Sequence, residues 1–523
     1  MQENKKQPRP QNVFLSIILI IVLGFAAYGN SVKNEFIWDD GHLIENNPSI
    51  KSWAGLPKIF TEDLGAGSGR RYNFYRPLQT ITYMIDHSIW KLDPRGYHLT
   101  NILLHILVAL CLFCSILLLF SDLGLAVLTG ILYVVHPIHT EAVTYISGRA
   151  DSLALLFMLF CFLLYIRSCS AKNLGIYALM ALSYGLALLS KEHSLILPVL
   201  LLVYHYSFKK KIKAEAFFLI VGLATLYVVL RVAVLKELLP SGESYNTTFA
   251  QRLPGFFVAL ANYLRLLFLP FGLHMEYGRA LFGWKDPRVF WGIVMLVGIV
   301  AYALRKKEKS PLIFFAIAWF LIALLPVSNL YAINAYMAEH WLYLPSVGFF
   351  LIMAKAIRVL FDNKDLKAFA VFLIAGLVFF YAYLTFRQNT YWREPLGFFE
   401  RTLAYAPESP AVHYNLGNIY VEANRKEEAI RSYQKAIDLK PRYDEAYNNL
   451  GNVYSEIGRW EEGVLSYQKA IEITPDFADA HNNLGLAYFS LRKPEEAIRA
   501  YHKAIALKPD YAEAHNNLGV AYA

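Results

Sequence analysis

The sequence predicts an all-α protein in two parts. A polytopic transmembrane bundle of about eleven helices occupies residues 1–390, and a superhelix of short helical repeats occupies 391–523. Three observations predict this. Of 523 residues, 56% are hydrophobic and the mean hydropathy is +0.34, outside the range of an ordinary soluble domain. The apolar residues come in runs of roughly 20, the length a helix needs to cross a bilayer core. Past about Arg387 the composition changes, and prolines recur at a fixed step.

The apolar runs fall at 13–29, 98–120, 123–136, 151–167, 174–190, 193–208, 214–235, 289–304, 311–327, 345–361 and 367–386. The first follows Lys5, Lys6 and Arg9 and reads as a retained signal anchor, with the N-terminus on the cytoplasmic side. Alternation from there puts four basic clusters on that side too: Arg167–Lys172, Lys209–Lys213, Arg305–Lys309 and Lys364–Lys367. The segment 253–271 contains Pro254, Asn262, Arg265 and Pro270. Counting it as a span would reverse the third cluster, so it is predicted to be interfacial or re-entrant. The loops 30–97, 137–150, 190–193, 236–288 and 328–344 then face outside, as do the repeats. Asn246-Thr247-Thr248 fits an external glycosylation sequon.

The net charge of +9 is explained by these clusters, so nucleic acid is not an expected partner. Cys111, Cys114, Cys161 and Cys169 lie in or beside apolar runs without other soft ligands, and they read as small apolar fillers.

In the second part Pro407, Pro441, Pro475 and Pro509 are 34 residues apart, and Gly417, Gly451, Gly485 and Gly519 keep the same step. That is the period of the tetratricopeptide repeat, a helix–turn–helix unit. About three and a half units are present, and the sequence ends partway through a helix A, so the array is expected to be incomplete. Asn415, Asn449, Asn483 and Asn517 share one position. An amide both donates and accepts, so these four are candidates for gripping an extended acceptor peptide. The alternative is that they bind neighbouring repeats.

Chemistry is expected on the outer face, because ionisable groups at membrane spans are costly and functional by default. Asp39 and Asp40, side by side in the first long loop, are the candidate catalytic acids. Arg76, His136, His139, Glu141, Arg149, Asp151, Lys191, Glu192, His193, Glu339 and His340 are candidates for binding the donor or its phosphate. His136-x-x-His139-x-Glu141 could suit a metal by spacing, but it lacks the i, i+4 pair of helix-borne zinc sites, and no metal or cofactor is expected. An external carboxylate, nearby cations and a membrane bundle together suggest glycosyl transfer from a lipid-phosphate donor to a hydroxyl.

Several stretches carry a family resemblance: Phe36-Ile37-Trp38-Asp39-Asp40, Tyr75-Arg76-Pro77-Leu78, His98-Leu99-Thr100-Asn101, His136 to Asp151, Ser190 to His193, and Ala338 to Ser346. With the repeats, they make the chain resemble the transmembrane and tetratricopeptide-repeat-containing O-mannosyltransferases of the GT-C glycosyltransferase superfamily. The resemblance implies transfer of a sugar, usually mannose, from a polyprenyl-phosphate donor to Ser or Thr of exported proteins. The first-loop Asp pair would hold the catalytic acids, the mechanism would invert, and no metal would be needed. It also implies that His340 replaces an arginine common in relatives, and that the array is shorter than usual. A bacterial plasma membrane with extracytoplasmic repeats is the expected location. The competing reading is a non-enzymatic, membrane-anchored repeat scaffold for protein assembly or export.

Overall fold

The computed structural model describes residues 9–69, 72–169, 173–236, 247–278, 280–329, 333 and 335–523. Lys5, Lys6, Lys172 and Asn246, singled out above, lie outside the described residues. The described residues form helices and turns without a β-strand. They divide into two compact units, Met1–Glu394 and Pro395–Ala523.

All eleven apolar runs form helices, the first at Pro10–Tyr28 and the last at Lys367–Thr390. Local chemistry sets many of their starts. Pro77, Pro94, Pro287 and Pro311 open helices, where the missing N–H costs nothing. Asp93 and Asp286 cap two of these by accepting the N–H of Arg95 and Arg288. Among the described residues, six helices are long and apolar enough to cross a membrane alone, fewer than the eleven expected. Seven are reached if Leu123–Val135 and Pro137–Val143, bent by 54°, make one span. The others, such as Leu174–Ser190, are shorter. The segment expected to be interfacial or re-entrant forms a continuous helix, Phe249–Phe268, with Pro254 inside it and a face buried through Ala259, Tyr263 and Leu266. It is not one of the six.

The bundle core is tight where small residues let backbones approach. A Cβ on Gly348 would stand 2.2 Å from the Ala316 carbonyl oxygen, so glycine there allows the Ser346–Asp362 and Pro311–Leu324 helices to touch.

In the second unit, helix pairs run from Pro410–Glu422 and Lys426–Leu439 to Pro494–Leu507, followed by Ala512–Tyr522. Gly417, Gly451 and Gly485 each face the tyrosine of their own helix B. A Cβ on Gly417, Gly451 or Gly485 would fall 2.4, 2.6 or 2.6 Å from the ring of Tyr433, Tyr467 or Tyr501. Tyr433 and Tyr467 then donate to Asn418 and Asn452, at 2.6 and 2.8 Å. Gly451→Val is therefore expected to displace Tyr467 and cost about 1–3 kcal/mol, as overpacking does. Limited proteolysis of the full chain would show it as cleavage within the repeats at protease levels that wild type resists.

Candidate functional site

The first loop folds Asp39 and Asp40 in opposite directions. Asp40 N–H donates to the Ile37 carbonyl at 3.1 Å, closing a tight turn. Trp38, inside that turn, has φ 55°, a left-handed conformation that favours glycine. Holding a bulky residue there costs on the order of 1–3 kcal/mol, so the surroundings must enforce it.

Asp40 is fully buried. Its Oδ2 accepts the Ile37 N–H at 3.2 Å, and its Oδ1 accepts both the N–H and the hydroxyl of Ser147, at 2.9 and 2.5 Å. Burial pushes this carboxyl up to about 7 even though those donors favour the charged form. Asp39 is half-buried. Its Oδ1 accepts the Tyr72 hydroxyl at 3.0 Å, and its own N–H donates to the Tyr145 hydroxyl oxygen at 3.1 Å. Of the two expected catalytic acids, Asp39 is the partly exposed one, and Asp40 is enclosed and bonded to the turn.

Two cation–carboxylate pairs and one histidine–carboxylate pair stand nearby. Arg76 Nε and Nη2 each lie 3.0 Å from Glu192 Oε2, and the guanidinium sits 4.1 Å over the Phe74 ring. Lys191 Nζ lies 2.7 Å from both oxygens of Asp151. Glu141 takes the backbone N–H of His340 at 2.9 Å and its Nδ1 at 2.5 Å. Burial, then the charges of Lys191, Arg76 and His340, hold the His193 imidazole well below its usual value. The His193 imidazole is thus within electrostatic reach of Lys191, Arg76 and His340. The Arg76 and His340 side chains remain 12% and 25% exposed, whereas Lys191 is 5% exposed and engaged by Asp151. Tyr72, bonded to Asp39, lies four residues before Arg76, at most about 14 Å of chain.

Other predicted donor-binding residues are placed elsewhere. Arg149 is fully buried: Nη2 lies 2.6 Å from Asp86, Nε donates to Asn101 at 2.7 Å, and Nη2 also reaches the Tyr97 carbonyl at 3.1 Å. It braces the fold rather than facing a ligand. His136 and His139 are also fully buried. His136 bonds the Leu267 carbonyl at 3.1 Å, and His139 bonds the Tyr133 carbonyl and Ser346, each at 3.0 Å. Glu339 is buried and accepts from His274 N–H at 2.6 Å and Tyr277 hydroxyl at 2.7 Å. The metal spacing of His136, His139 and Glu141 does not converge, because Glu141 turns to His340. Among the described residues, no three His, Cys, Asp or Glu groups are placed to hold a metal ion.

The asparagine ladder faces its neighbours. Asn449 donates to Asn418 at 3.0 Å and Tyr414 at 3.2 Å; Asn483 donates to Asn452 and Asn448 at 3.0 and 3.2 Å. Asn517 donates to Asn482 at 3.0 Å. In these three the amide protons expected to meet a peptide are engaged by the preceding repeat. Asn415 holds the same position in the first unit.

Residues missed from sequence include Tyr72, Tyr145 and Ser147, which frame the acids, and Asp86, which pairs with Arg149. Tyr145 and Ser147 lie within the matched stretch just before Arg149, which was the available signal. Asp86 had none beyond being the lone acid of its helix.

The fold and site define an integral-membrane protein with tetratricopeptide repeats and an acid-bearing loop. Family models described as "TPR repeat" match residues 417–458 and 452–491, and one described as "Tetratricopeptide repeat" matches 478–511. A Caenorhabditis elegans protein O-mannosyl-transferase is 27% identical, covering 83% of this chain and 64% of the relative. Human protein O-mannosyl-transferases TMTC3 and TMTC1 are 26% and 28% identical, covering 81% and 79% of this chain and 55% and 54% of theirs. Among solved structures, a crystal structure of MamA is 31% identical with a TM-score of 0.24, covering 24% of this chain and 74% of that one. Over about 80% of its length the chain is thus similar to proteins named protein O-mannosyl-transferases. It spans between about half and two thirds of the length of the relatives named here.

Two outcomes follow from the buried charges. Arg149→Met leaves Asp86 buried without its cation and should cost about 3–5 kcal/mol in thermal unfolding of the detergent-solubilised chain. Asp40 is harder to ionise in the fold than in the unfolded chain. Its contribution to stability is therefore full below pH about 4 and is lost as pH rises through about 7. Asp40→Asn should flatten that part of the stability–pH curve, measured as the difference from wild type.

Proposed function

We propose that this chain is an integral-membrane glycosyltransferase. It moves a sugar, mannose first among candidates, from a polyprenyl-phosphate donor to Ser or Thr hydroxyls of exported proteins. The observation that carries this reading is the accessible carboxylate of Asp39, fixed by Tyr72 and Tyr145 close in the chain to Arg76. The names of the relatives, protein O-mannosyl-transferases, support the same class of reaction.

In the proposed step Asp39 takes the proton of the acceptor hydroxyl, whose oxygen forms a bond to the anomeric carbon. The bond from that carbon to the phosphate oxygen breaks on the opposite face, which inverts the centre. Negative charge develops on the leaving polyprenyl phosphate, and Arg76 and His340 are the cations with exposed surface to meet it. Asp40 holds the turn that aims Asp39. Glu192 and Glu141 position the two cations, and Lys191 with Asp151 closes the site from behind. The repeats supply a surface for the acceptor protein.

The test is transfer of labelled mannose from polyprenyl-phosphate mannose to membrane and secreted proteins, at matched expression. Asp39→Asn should lower the rate by about 10²–10⁴-fold, the usual share of a general base. Arg76→Ala should raise the KM for donor while the protein stays folded. Full transfer by Asp39→Asn would remove the proposed base. Absence of transfer by wild type with several sugars would leave the scaffold reading, in which the repeats alone carry function.

A further inference from the structure

From a second charged surface, at the far end of the bundle, we infer a docking site for the phosphate headgroups of anionic phospholipids. This inference does not depend on the glycosyltransferase reading.

Two basic segments almost a hundred residues apart meet there. Lys209 Nζ lies 2.6 Å from Glu308 Oε2. Lys307 Nζ bonds the Tyr206 hydroxyl and sits 4.1 Å over that ring. Lys213 bonds the Ser168 carbonyl and lies 5.4 Å over the Tyr177 ring, which brings in a third segment. Lys306 lies 5.5 Å over Tyr302. Residues 209–213 carry four lysines, and 305–309 carry one arginine and three lysines against the single acid Glu308.

The depth of this surface is set by the helices that reach it. Ala214–Leu235 begins at the basic end and has 22 residues, about 33 Å at 1.5 Å each. Its other half bonds the candidate-site loop, with Tyr227 donating to the Tyr75 carbonyl at 3.2 Å and Arg231 to that of Asn73 at 3.4 Å. The loop contacts therefore stand about 20–26 Å along this helix from its basic end, most of the way across a bilayer core. Topology alone asks only for basic residues on one side. It does not ask that amines from separate loops be gathered over tyrosine rings at headgroup depth, where rings and cations together favour a lipid phosphate. Lys210 and Lys211 are exposed beside those held amines.

The experiment follows thermal unfolding of the full chain in detergent, titrated with phosphatidylglycerol, phosphatidylcholine or inorganic phosphate at equal concentration. Phosphatidylglycerol should raise the Tm, and the other two should not. The variant Lys210→Gln/Lys211→Gln/Lys306→Gln should weaken the phosphatidylglycerol response about tenfold or more, since each surface lysine contributes on the order of fivefold. Neutralising Lys469, Lys503 and Lys508 in the repeats should leave it unchanged. If the triple variant unfolds on its own, Lys211→Gln alone should give the fivefold loss. An equal response to phosphatidylcholine, a shift reproduced by inorganic phosphate, or an unchanged response in the variants would overturn the inference.

Discussion

The membrane unit is organised around one buried ion pair, Arg149 with Asp86. Neither partner meets solvent, so each would carry a large desolvation cost alone. The geometry offsets that cost by giving both groups several polar partners. Thr100 donates to the second oxygen of Asp86 at 2.8 Å, and Arg149 is held by Asn101 and the Tyr97 carbonyl. The guanidinium also lies 4.9 Å over the Tyr83 ring. Three helices, Pro77–Trp90, Pro94–Phe120 and Arg149–Ser168, are thereby fixed to one another at the end where the first loop lies. The pair reaches the acids through Asn101. Its amide donates to the carbonyls of Val143, Tyr145 and Ile146, at 3.1 to 3.3 Å. That segment carries Tyr145 and Ser147, the groups that hold Asp39 and Asp40. A buried charge pair thus sets where the partly exposed Asp39 carboxylate stands.

The same logic explains why adjacent carboxylates have different chemistry. Asp40 accepts three hydrogen bonds yet remains hard to ionise, because complete burial outweighs them. Asp39 sits one residue earlier, on the open side of a turn that Trp38 can enter only in a left-handed conformation. The strain at Trp38 and the burial of Asp40 are two parts of one arrangement. The enclosed acid ties the turn to Ser147, and the turn presents the other acid outward.

Much of this architecture was legible in the sequence. The helices followed from apolar runs and the repeats from a 34-residue step, because both are periodic and local. The loop acids stood out for the same reason: charge beside a span is rare enough to notice. Three things were not legible. Which acid is accessible depends on the φ of Trp38, and nothing in its side chain favours that value. The role of Arg149 depends on Asp86, 63 residues earlier (149−86), and a lone acid in a helix announces no partner. The direction of the asparagine ladder is hidden by its own regularity. A 34-residue step puts Asn449, Asn483 and Asn517 in one register whether they face a groove or the preceding repeat. Only the Asn418, Asn452 and Asn482 oxygens within reach decide between the two.

The charge balance around the first loop bears on how a phosphate could be held there. Arg76, Lys191 and His340 are matched one for one by Glu192, Asp151 and Glu141. Such matching lets cations persist in a partly dry site without a ligand, because each has a counter-charge within hydrogen-bond distance. It also means that a phosphate gains only from donors the carboxylates leave over. Arg76 offers most, since Glu192 occupies Nε and one Nη while the guanidinium has five N–H groups in a fixed fork. His340 differs in kind. Glu141 engages its Nδ1, which leaves Nε2 as the atom that could face a ligand, and the imidazolium donates from both nitrogens.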